Sequence, residues 1–392
     1  MTTSVNEKIK KAQARETAKH TDFIYGVNEV IKPGLLGKLE NQLIEQQKIG
    51  LKEKAFFFHL FAVLLNAGLN TIQSLYILSR KTQNQRFKRI LNTITHDIKQ
   101  GQSLSLAMEK FPVAFSESEL GVIKSGEAIG QLDRMFFRLA DQTEDQNKLL
   151  TELKGSLTYP IIVFGILAIS TVIMFGLVIP KLINLFIENN LEIPTLTKAL
   201  LAVSTIITDY WGALIIAAIV AIIVFSARIQ TDEGRFNFHL WKLKFPAFGM
   251  ILRKVYIIKF MGTLGVLLDA GVPLQDALKI ITRVVDNEVY KLKTFEVLAK
   301  VQTGEKISAN LATTPFLFPE TVSKIIEIGE HSATLSEMCE KISKQYMGEV
   351  EYSLKNITTI IGPTVIVIVG VFVAIFALAI LGPVFQLSEG IV

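Results

Sequence analysis

The sequence predicts an all-α membrane protein made of two duplicated cytoplasmic six-helix bundles and three transmembrane helices. Three observations lead to this fold class. One pattern of residues occurs twice at a constant offset of 203 positions, and three long stretches carry almost no charge. Between these stretches, glycines and prolines separate short segments with helical spacing of apolar residues, and β-rich windows with a period of two are absent.

The repeat extends over most of the chain without a gap. Leu-Leu-Asn-Ala-Gly at 64–68 returns as Leu-Leu-Asp-Ala-Gly at 267–271. Further pairs at the same offset are Gly101 and Gly304, Ser105 and Ser308, Phe115 and Phe318, Pro160 and Pro363, and Pro180 and Pro383. Solenoid units are about 20–50 residues long, so the much longer period indicates a duplicated domain.

Residues 1–50 precede the repeat and are predicted to form a basic N-terminal arm and a short amphipathic helix. Leu36, Leu39 and Leu43 have the helical spacing. The arm is either a solvated extension or a segment attracted to anionic lipid or an acidic partner, since each basic residue near a charged membrane contributes about 1 kcal/mol. Because Met1–Lys54 is polar and charged, we expect no cleavable signal peptide.

The first bundle is predicted over residues 51–154, as a series of short helices. Ala67-Gly68 ends the first of them, and Ser116 and Glu119 have the spacing of a capping box that begins the fifth. The intervening and following helices are expected over Thr71–Arg80, Arg86–Lys99, Ser103–Lys110 and Ser116–Lys124, with a sixth from about Ile129 towards the membrane. Glycines and prolines separate short helical segments in the same way within 229–355, which predicts a second bundle there as a repeat of 51–154.

Three segments are apolar enough to cross a bilayer, whose core of about 30 Å needs roughly 20 helical residues. Residues 155–180 and 356–388 contain no charged residue, and Asp209 is the only charge between Lys198 and Arg228. The predicted transmembrane helices are 157–180, 208–228 and 360–386. Proline can kink or start a helix, and the prolines expected where the chain enters or leaves the membrane are Pro160, Pro180, Pro363 and Pro383.

The distribution of positive charge predicts the orientation. Of the 41 Lys and Arg residues, only Lys181 and Lys198 lie between the first two spans, and none follows the third. By the positive-inside rule, both bundles and the N-terminus face the cytoplasm. The loop 181–207 and the tail 387–392 then face the outside.

A glycine–glutamate corner after the fifth helix of each copy is the main candidate site. We expect Gly126 to end that helix in a conformation that other residues resist, and Gly130 or Ala333 to permit close packing. A glutamate just ahead of the next helix would complement its dipole by about 0.3–1 kcal/mol. The corner is either purely structural or a docking site for a partner. The residues concerned are Gly126, Glu127, Gly130 and Leu132 in the first copy and Gly329, Glu330 and Leu335 in the second.

No pattern of catalytic or cofactor-binding residues is found. The glycine-rich phosphate-binding loop and the His-Glu-x-x-His zinc motif are both missing, and the five histidines are scattered. A single cysteine, Cys339, excludes an internal disulfide or a multi-cysteine metal site, and we expect it to be buried. We therefore predict no enzymatic activity, no metal and no cofactor, and no nucleic acid among the partners.

The predicted spans contain almost no ionisable groups, whereas transporters keep such groups for coupling. This pattern favours an adaptor that connects a soluble cytoplasmic machine to helical membrane partners. The alternatives are a small-solute membrane transporter with cytoplasmic helical regulatory modules, and a membrane-bound enzyme or signalling receptor.

Taken together, these residues resemble the inner-membrane platform proteins of type IV pilus and type II secretion machines. The resemblance covers roughly residues 51–388. It rests on the duplicated bundle, the three-span topology, the Leu-Leu-x-Ala-Gly turns at 64–68 and 267–271, and the Gly-Glu-x-x-Gly-x-Leu corner at 126–132. The second corner departs from the pattern, with Ala333 in place of a glycine.

The resemblance implies a non-enzymatic hub in the bacterial inner membrane, with the loop and tail in the periplasm. A hexameric assembly ATPase would contact the bundles from the cytoplasm, and the spans would receive pilin or pseudopilin transmembrane helices. Other inner-membrane assembly proteins and a homo-oligomer, dimer or higher, are further implied partners. Pilus assembly, secretion and DNA uptake all stay open.

Overall fold

A computed structural model describes residues 43–181, 202, 204, 205, 210–246 and 248–389. Every regular element in these residues is helical, which confirms the all-α prediction. The predicted basic arm, most of the loop 181–207 and the end of the tail 387–392 lie outside the described residues.

The first copy contains six helices in chain order. They are α1 (Leu51–Asn66), α2 (Thr71–Lys81), α3 (Gln85–Lys99), α4 (Leu104–Glu109), α5 (Glu117–Ile129) and α6 (Leu132–Ile173). Helix α6 continues into a π-helical turn, Met174–Val178. The predicted capping box is present, because the Ser116 hydroxyl accepts from the Glu119 amide while the Glu119 carboxylate accepts from the Ser116 amide.

Two helices precede the second copy: α7 (Trp211–Gln230) and α8 (Asp232–Lys244). The second copy then repeats the order of the first. Its helices are α9 (Phe248–Asp269), α10 (Leu274–Val284), α11 (Glu288–Gln302), α12 (Ile307–Ala312), α13 (Glu320–Ser332) and α14 (Leu335–Glu389). Helix α8 lies inside the predicted second bundle, 229–355, and the positions 203 residues earlier lie outside the described residues. The boundaries of that domain stay predictions.

The chain divides into two compact units. One contains the chain up to Leu149 together with Leu252–Met347, so it holds the short helices of both copies. The other contains Leu150–Ile251 and Gly348–Val392.

The two copies have different cores on the same helical framework. The first copy is aromatic: six fully buried or nearly buried phenylalanine rings pack together, namely Phe57, Phe58, Phe61, Phe87, Phe115 and Phe136. At the position of Phe136 the second copy has Cys339, which is fully buried as predicted. A methyl group added to Gly265 would lie 3.2 Å from its Cβ, so α9 and α14 approach closely where the first copy has aromatic rings.

Candidate functional site

The Glu127 carboxylate binds the start of the short helix α4. Its Oε1 accepts from the Leu104 amide at 2.6 Å, and its Oε2 accepts from the Ser105 amide at 3.1 Å and the Ser105 hydroxyl at 2.6 Å. The first amides of a helix lack partners within the helix, and a negative charge there also complements its dipole. The prediction of a helix-dipole role was right in kind, but it named the wrong helix, because Glu127 caps α4 rather than α6.

Glu330 makes the same contacts in the second copy. It accepts from the Ile307 amide at 2.7 Å, from the Ser308 amide at 3.2 Å, and from the Ser308 hydroxyl. The residue before α12 is Lys306, which supplies no side-chain cap. In the first copy, by contrast, Ser103 accepts from the Leu106 amide. Glu330 therefore carries more of the capping of its short helix than Glu127 does.

The predicted roles of the corner glycines were wrong, because the two roles are exchanged. Gly126 lies inside α5, and the residue with left-handed backbone is Gly130, at φ 70°. A methyl group at Gly126 would lie 2.5 Å from Cγ of Met135 in α6. Gly126 is thus the residue that permits close packing, and Gly130 ends α5.

The second corner shows the same exchange. Gly329 lies inside α13, where a methyl group would lie 2.8 Å from Cγ of Met338, and Ala333 takes the left-handed conformation at φ 57°. A Cβ makes that conformation unfavourable by about 1–2 kcal/mol. The long helices then begin at Leu132 and Leu335, both half-buried. The corner fixes where each long helix starts.

A contact between the two copies was not predicted from the sequence. Helix α5 packs against α10, and the residues of α5 nearest the second copy include small ones. A methyl group at Gly121 would lie 3.1 Å from Cδ1 of Ile280, and the Ser125 hydroxyl donates to the carbonyl of Ala270. The sequence analysis missed Gly121 and Ser125, although small residues four apart on one helix are a spacing that permits close packing.

Charged side chains surround this contact. Arg138 Nε lies 2.9 Å from Asp269 Oδ2, and Arg134 Nη2 lies 3.4 Å from Oδ1 of the same carboxylate. At the other edge, Arg283 Nη1 lies 3.2 Å from Glu117 Oε2. Surface ion pairs of this kind contribute little to stability, so the close packing at Gly121 provides the contact and the charges fix its orientation.

The prolines do not begin helices. Pro160 lies inside α6, and Pro363 and Pro383 lie inside α14, while their place at the membrane surface stays a prediction. Pro180 follows the π-helical turn. Because proline has no amide hydrogen, the carbonyl four residues before it loses its helical partner. The turn accommodates the change, with the Ile179 amide bonded to the Met174 carbonyl five residues back.

The π-helical turn also brings α6 against α14 in the second compact unit. Phe175 and Phe376 are both buried, with ring centroids 5.6 Å apart in an edge-to-face arrangement, and Phe372 packs beside them. The carbonyl of Phe175 accepts from the Ser204 hydroxyl at 2.6 Å. π-helical turns are frequent at functional sites, and Pro180 was the available sequence signal for this one.

Two helices in the described residues are long and apolar enough to cross a membrane. They extend over Leu132–Lys181 and Leu335–Leu378. A third candidate combines Ile215–Gln230 with Asp232–Lys244, which meet at a bend of 103°. Among the described residues, no group of three or more His, Cys, Asp or Glu side chains could hold a metal ion.

A duplicated helical module, in which each copy ends in a long apolar helix, defines a membrane-associated protein with a two-copy helical scaffold. The chain belongs to the family described as "Type II secretion system (T2SS), protein F", whose profile matches residues 57–180 and again 260–383. The two matches are themselves 203 residues apart, so they confirm the internal repeat and its register.

The most similar relatives include proteins of two related machines. The chain is 31% identical over 338 residues to "Type IV pilus assembly protein PilC" of Thermus thermophilus, covering 86% of this chain and 83% of the relative. It is 28% identical to the PilC protein of Pseudomonas aeruginosa, over 88% of this chain and 92% of the relative. It is 27% identical to "Type II secretion system protein F" of the same bacterium, over 87% and 84%.

Proposed function

We propose that this protein is the non-enzymatic inner-membrane platform of a type IV pilus or type II secretion machine. In this role it couples a cytoplasmic assembly ATPase to the insertion of pilin or pseudopilin subunits into the filament. The observation that carries the proposal is the family match, which occurs in both copies in one register and extends in each from the bundle into the apolar helix. The names of the relatives support both machines.

The simplest test is genetic. Deleting the gene is expected to abolish piliation or secretion while solute uptake stays normal, and expression of the intact chain restores the phenotype. Normal piliation and secretion in the deletion strain would contradict the platform role. An uptake defect alone would favour a transporter.

The proposed topology has three spans, near 157–180, 208–228 and 360–386, with the N-terminus in the cytoplasm and the C-terminus in the periplasm. The charge distribution supports it, since the loop 181–207 holds only two basic residues. Alkaline phosphatase fused after residue 198 or 392 is expected to be active, and a fusion after residue 231 inactive. Activity of the fusion after residue 231 would contradict the return of the chain to the cytoplasm.

Docking of the assembly ATPase at the two corners is part of the proposal. The carboxylates of Glu127 and Glu330 are engaged with α4 and α12, so a partner would meet the exposed residues beside them. Ile129 is 55% exposed, and Ser332 is exposed at the equivalent position. Photo-cross-linkers at these positions are expected to capture the ATPase. Cross-links from neither would leave the corners with a purely structural role.

The long helices offer a route by which motion of the ATPase reaches the membrane. Each begins at a corner and continues as one helix into the apolar segment. Inserting two glycines near Thr151 and near Ser353 is therefore expected to abolish piliation or secretion. The same insertion in the turn at Gly101 serves as the control. Function that survives both helix insertions would contradict the transmission of motion through the long helices.

The apolar helices would form the surface that receives pilin or pseudopilin. Many large apolar side chains along them are exposed, among them Ile161, Phe164, Ile166, Val367 and Val371. Such a surface suits contact with lipid and with other apolar helices. Disulfide cross-links between cysteines introduced here and in the pilin helix would test this. Homo-oligomerisation and contact with other inner-membrane assembly proteins complete the proposal.

A further inference from the structure

Helix α8 follows the proposed second span after a sharp bend and has the composition of a surface helix. Helix α7 has 20 residues, which is enough to cross a bilayer core of about 30 Å without any contribution from α8. Helix α8 has 13 residues, and five of them carry a charge, so it is too short and too polar to continue the span. The two helices meet at a bend of 103°. With α7 across the membrane, the axis of α8 therefore lies close to the plane of the membrane surface.

Aromatic rings form a continuous row from the end of α7 along α8 to the start of α9. The successive ring centroids are 5.4, 6.4, 5.2 and 6.3 Å apart, for Phe225, Phe238, Trp241, Phe245 and Phe248 in that order. Trp241 is 58% exposed, and Phe225, Phe245 and Phe248 are exposed as well. A cluster of aromatic side chains where an apolar helix ends is typical of a membrane–water interface.

The two sides of α8 have different surroundings. Leu243 is buried and Phe236 is half-buried, so one side of the helix packs on the protein. Trp241 and Phe245 are four residues apart and therefore share the opposite side, where both are exposed. The protein covers one apolar side of α8 and leaves the other uncovered, next to the end of a membrane helix.

Basic side chains flank the aromatic row. Lys242 Nζ lies 4.1 Å from the centre of the Phe238 ring, and Lys244 is exposed. At 3.6 residues per turn, Lys242 and Lys244 fall on opposite sides of Trp241 around the helix. The two acidic residues of α8 are both in its first turn, where they complement the helix dipole. Long basic side chains beside an inserted apolar stripe extend to the headgroups, and their charge favours anionic lipid.

We infer that α8 is an interfacial helix, which inserts its aromatic row at the edge of the hydrocarbon and binds anionic phospholipid headgroups through Lys242 and Lys244. The inference rests on the proposed function only in taking α7 as a span, and it is independent of the machine in which the protein acts. Among the positions 203 residues before the row from Phe238 to Phe248, none is aromatic: they hold Leu35, Lys38, Gln42 and Glu45. The row is thus specific to the copy that follows the proposed second span.

The depth of Trp241 in the full chain tests the insertion. The chain has two tryptophans, so Trp211→Phe leaves Trp241 as the only fluorescent one. In nanodiscs, lipids brominated near the headgroup end of the acyl chain are expected to quench Trp241 about twofold more strongly than lipids brominated at the chain end, because interfacial helices lie about 5–10 Å deep. Stronger quenching from the chain end would make α8 part of a broken span, and the inference would be wrong. Full quenching by aqueous iodide, with no effect of brominated lipid, would place α8 in water on a soluble partner and would also overturn it.

The headgroup preference needs a second measurement in the same nanodiscs. Brominated phosphatidylglycerol is expected to reach half-maximal quenching at about a fivefold lower mole fraction than brominated phosphatidylcholine, the preference that one basic residue near the surface provides. Lys242→Gln combined with Lys244→Gln should remove this difference and leave the depth unchanged. The matched control, Lys300→Gln combined with Lys324→Gln, removes the same charge at exposed positions of α11 and α13 and should keep the difference.

Two outcomes would overturn the headgroup site. Equal quenching by the two brominated lipids in the Trp211→Phe chain would exclude a preference for anionic lipid. Loss of the preference in the control as well would assign it to the net charge of the protein rather than to α8. Neither outcome changes the platform role, because the deletion strain tests that role without reference to α8.

Discussion

An ion pair joins the first and fifth helices of the first copy, and the equivalent residues of the second copy differ in kind. In the first copy, Lys54 Nζ lies 2.7 Å from Glu119 Oε2, with both side chains 11% exposed. In the second copy, the same two positions are Ile257 and Val322, which are almost completely buried. One fold therefore accepts either a buried ion pair or two apolar residues at the same two buried positions.

This difference shows what the buried ion pair contributes. Removing two charges from water costs energy that their attraction recovers only partly, so replacing a buried pair by apolar residues is often neutral or stabilising. Glu119 also accepts from the Ser116 amide, whereas the second copy has Pro319 there, which has no amide hydrogen to donate. The carboxylate and the capping box belong together, and the second copy lacks both.

The largest expected effect comes from breaking the pair on one side. Lys54→Ile leaves the Glu119 carboxylate buried without its cation, and should destabilise the first copy by about 3–5 kcal/mol. Lys54→Ile combined with Glu119→Val reproduces the second copy and should recover at least half of that loss. Amide exchange of α1 and α5 in the reconstituted chain measures both. A double variant as unstable as the single one would mean that the pair itself stabilises the fold.

The capping glutamates offer the next test of the comparison. Glu330→Ala leaves the Ile307 and Ser308 amides without an acceptor and should cost about 1–3 kcal/mol. Glu127→Ala should cost less, because Ser103 still caps α4. We expect the amides of residues 307 and 308 in Glu330→Ala to exchange faster than the amides of residues 104 and 105 in Glu127→Ala. Equal losses in the two copies would show that Ser103 contributes nothing.

The contact between the copies can be broken at Gly121. Gly121→Leu forces a side chain against Ile280 and should cost about 1–3 kcal/mol, with α5 displaced from α10. Spin labels on Lys124 and Lys279 would report the displacement as a longer and broader distance. Lys324→Leu, at the equivalent exposed position of the second copy, is the control. An unchanged distance in Gly121→Leu would exclude close packing as the origin of the contact.

The smallest effects are expected at the left-handed residues, with opposite signs. Gly130→Ala introduces a Cβ at φ 70° and should destabilise the first copy by about 1 kcal/mol. Ala333→Gly removes one at φ 57° and should stabilise the second by up to about 1 kcal/mol. Denaturation of each variant in detergent measures the sign. The reverse signs, with Gly130→Ala stabilising and Ala333→Gly destabilising, would mean that the entropy of the unfolded chain, rather than the Cβ, controls these positions.

The helices of each copy could be predicted because their ends are local. Ser116 and Glu119 form their capping box within four residues, and the positive φ of Gly68 and Gly271 follows from the turns that contain them. The end of the fifth helix at the corner was harder to predict, because Gly126 and Gly130 both suit a helix end. The deciding fact is that Met135 packs on Gly126, and this depends on the path of the next helix.

Contacts between distant residues were missed for a related reason. Lys54 and Glu119 are 65 residues apart, and Glu127 reaches back to Leu104. Each of these residues also suits an exposed helical surface, so nothing in their spacing predicts the pairing. The repeat could have helped, since a charge in one copy that aligns with an apolar residue in the other indicates a buried position.

The contact between the copies joins the fifth helix of one to the second helix of the other, so it has a direction. A directional contact between repeated units would ordinarily let molecules add to one another without limit. Here the next addition would place the face of α13 on the α2 of another chain, and Lys324 stands where Gly121 allows close approach. This contact therefore forms once, between the two copies within one chain, and does not repeat from one chain to the next. We therefore expect that any self-assembly of the protein uses surfaces other than this one.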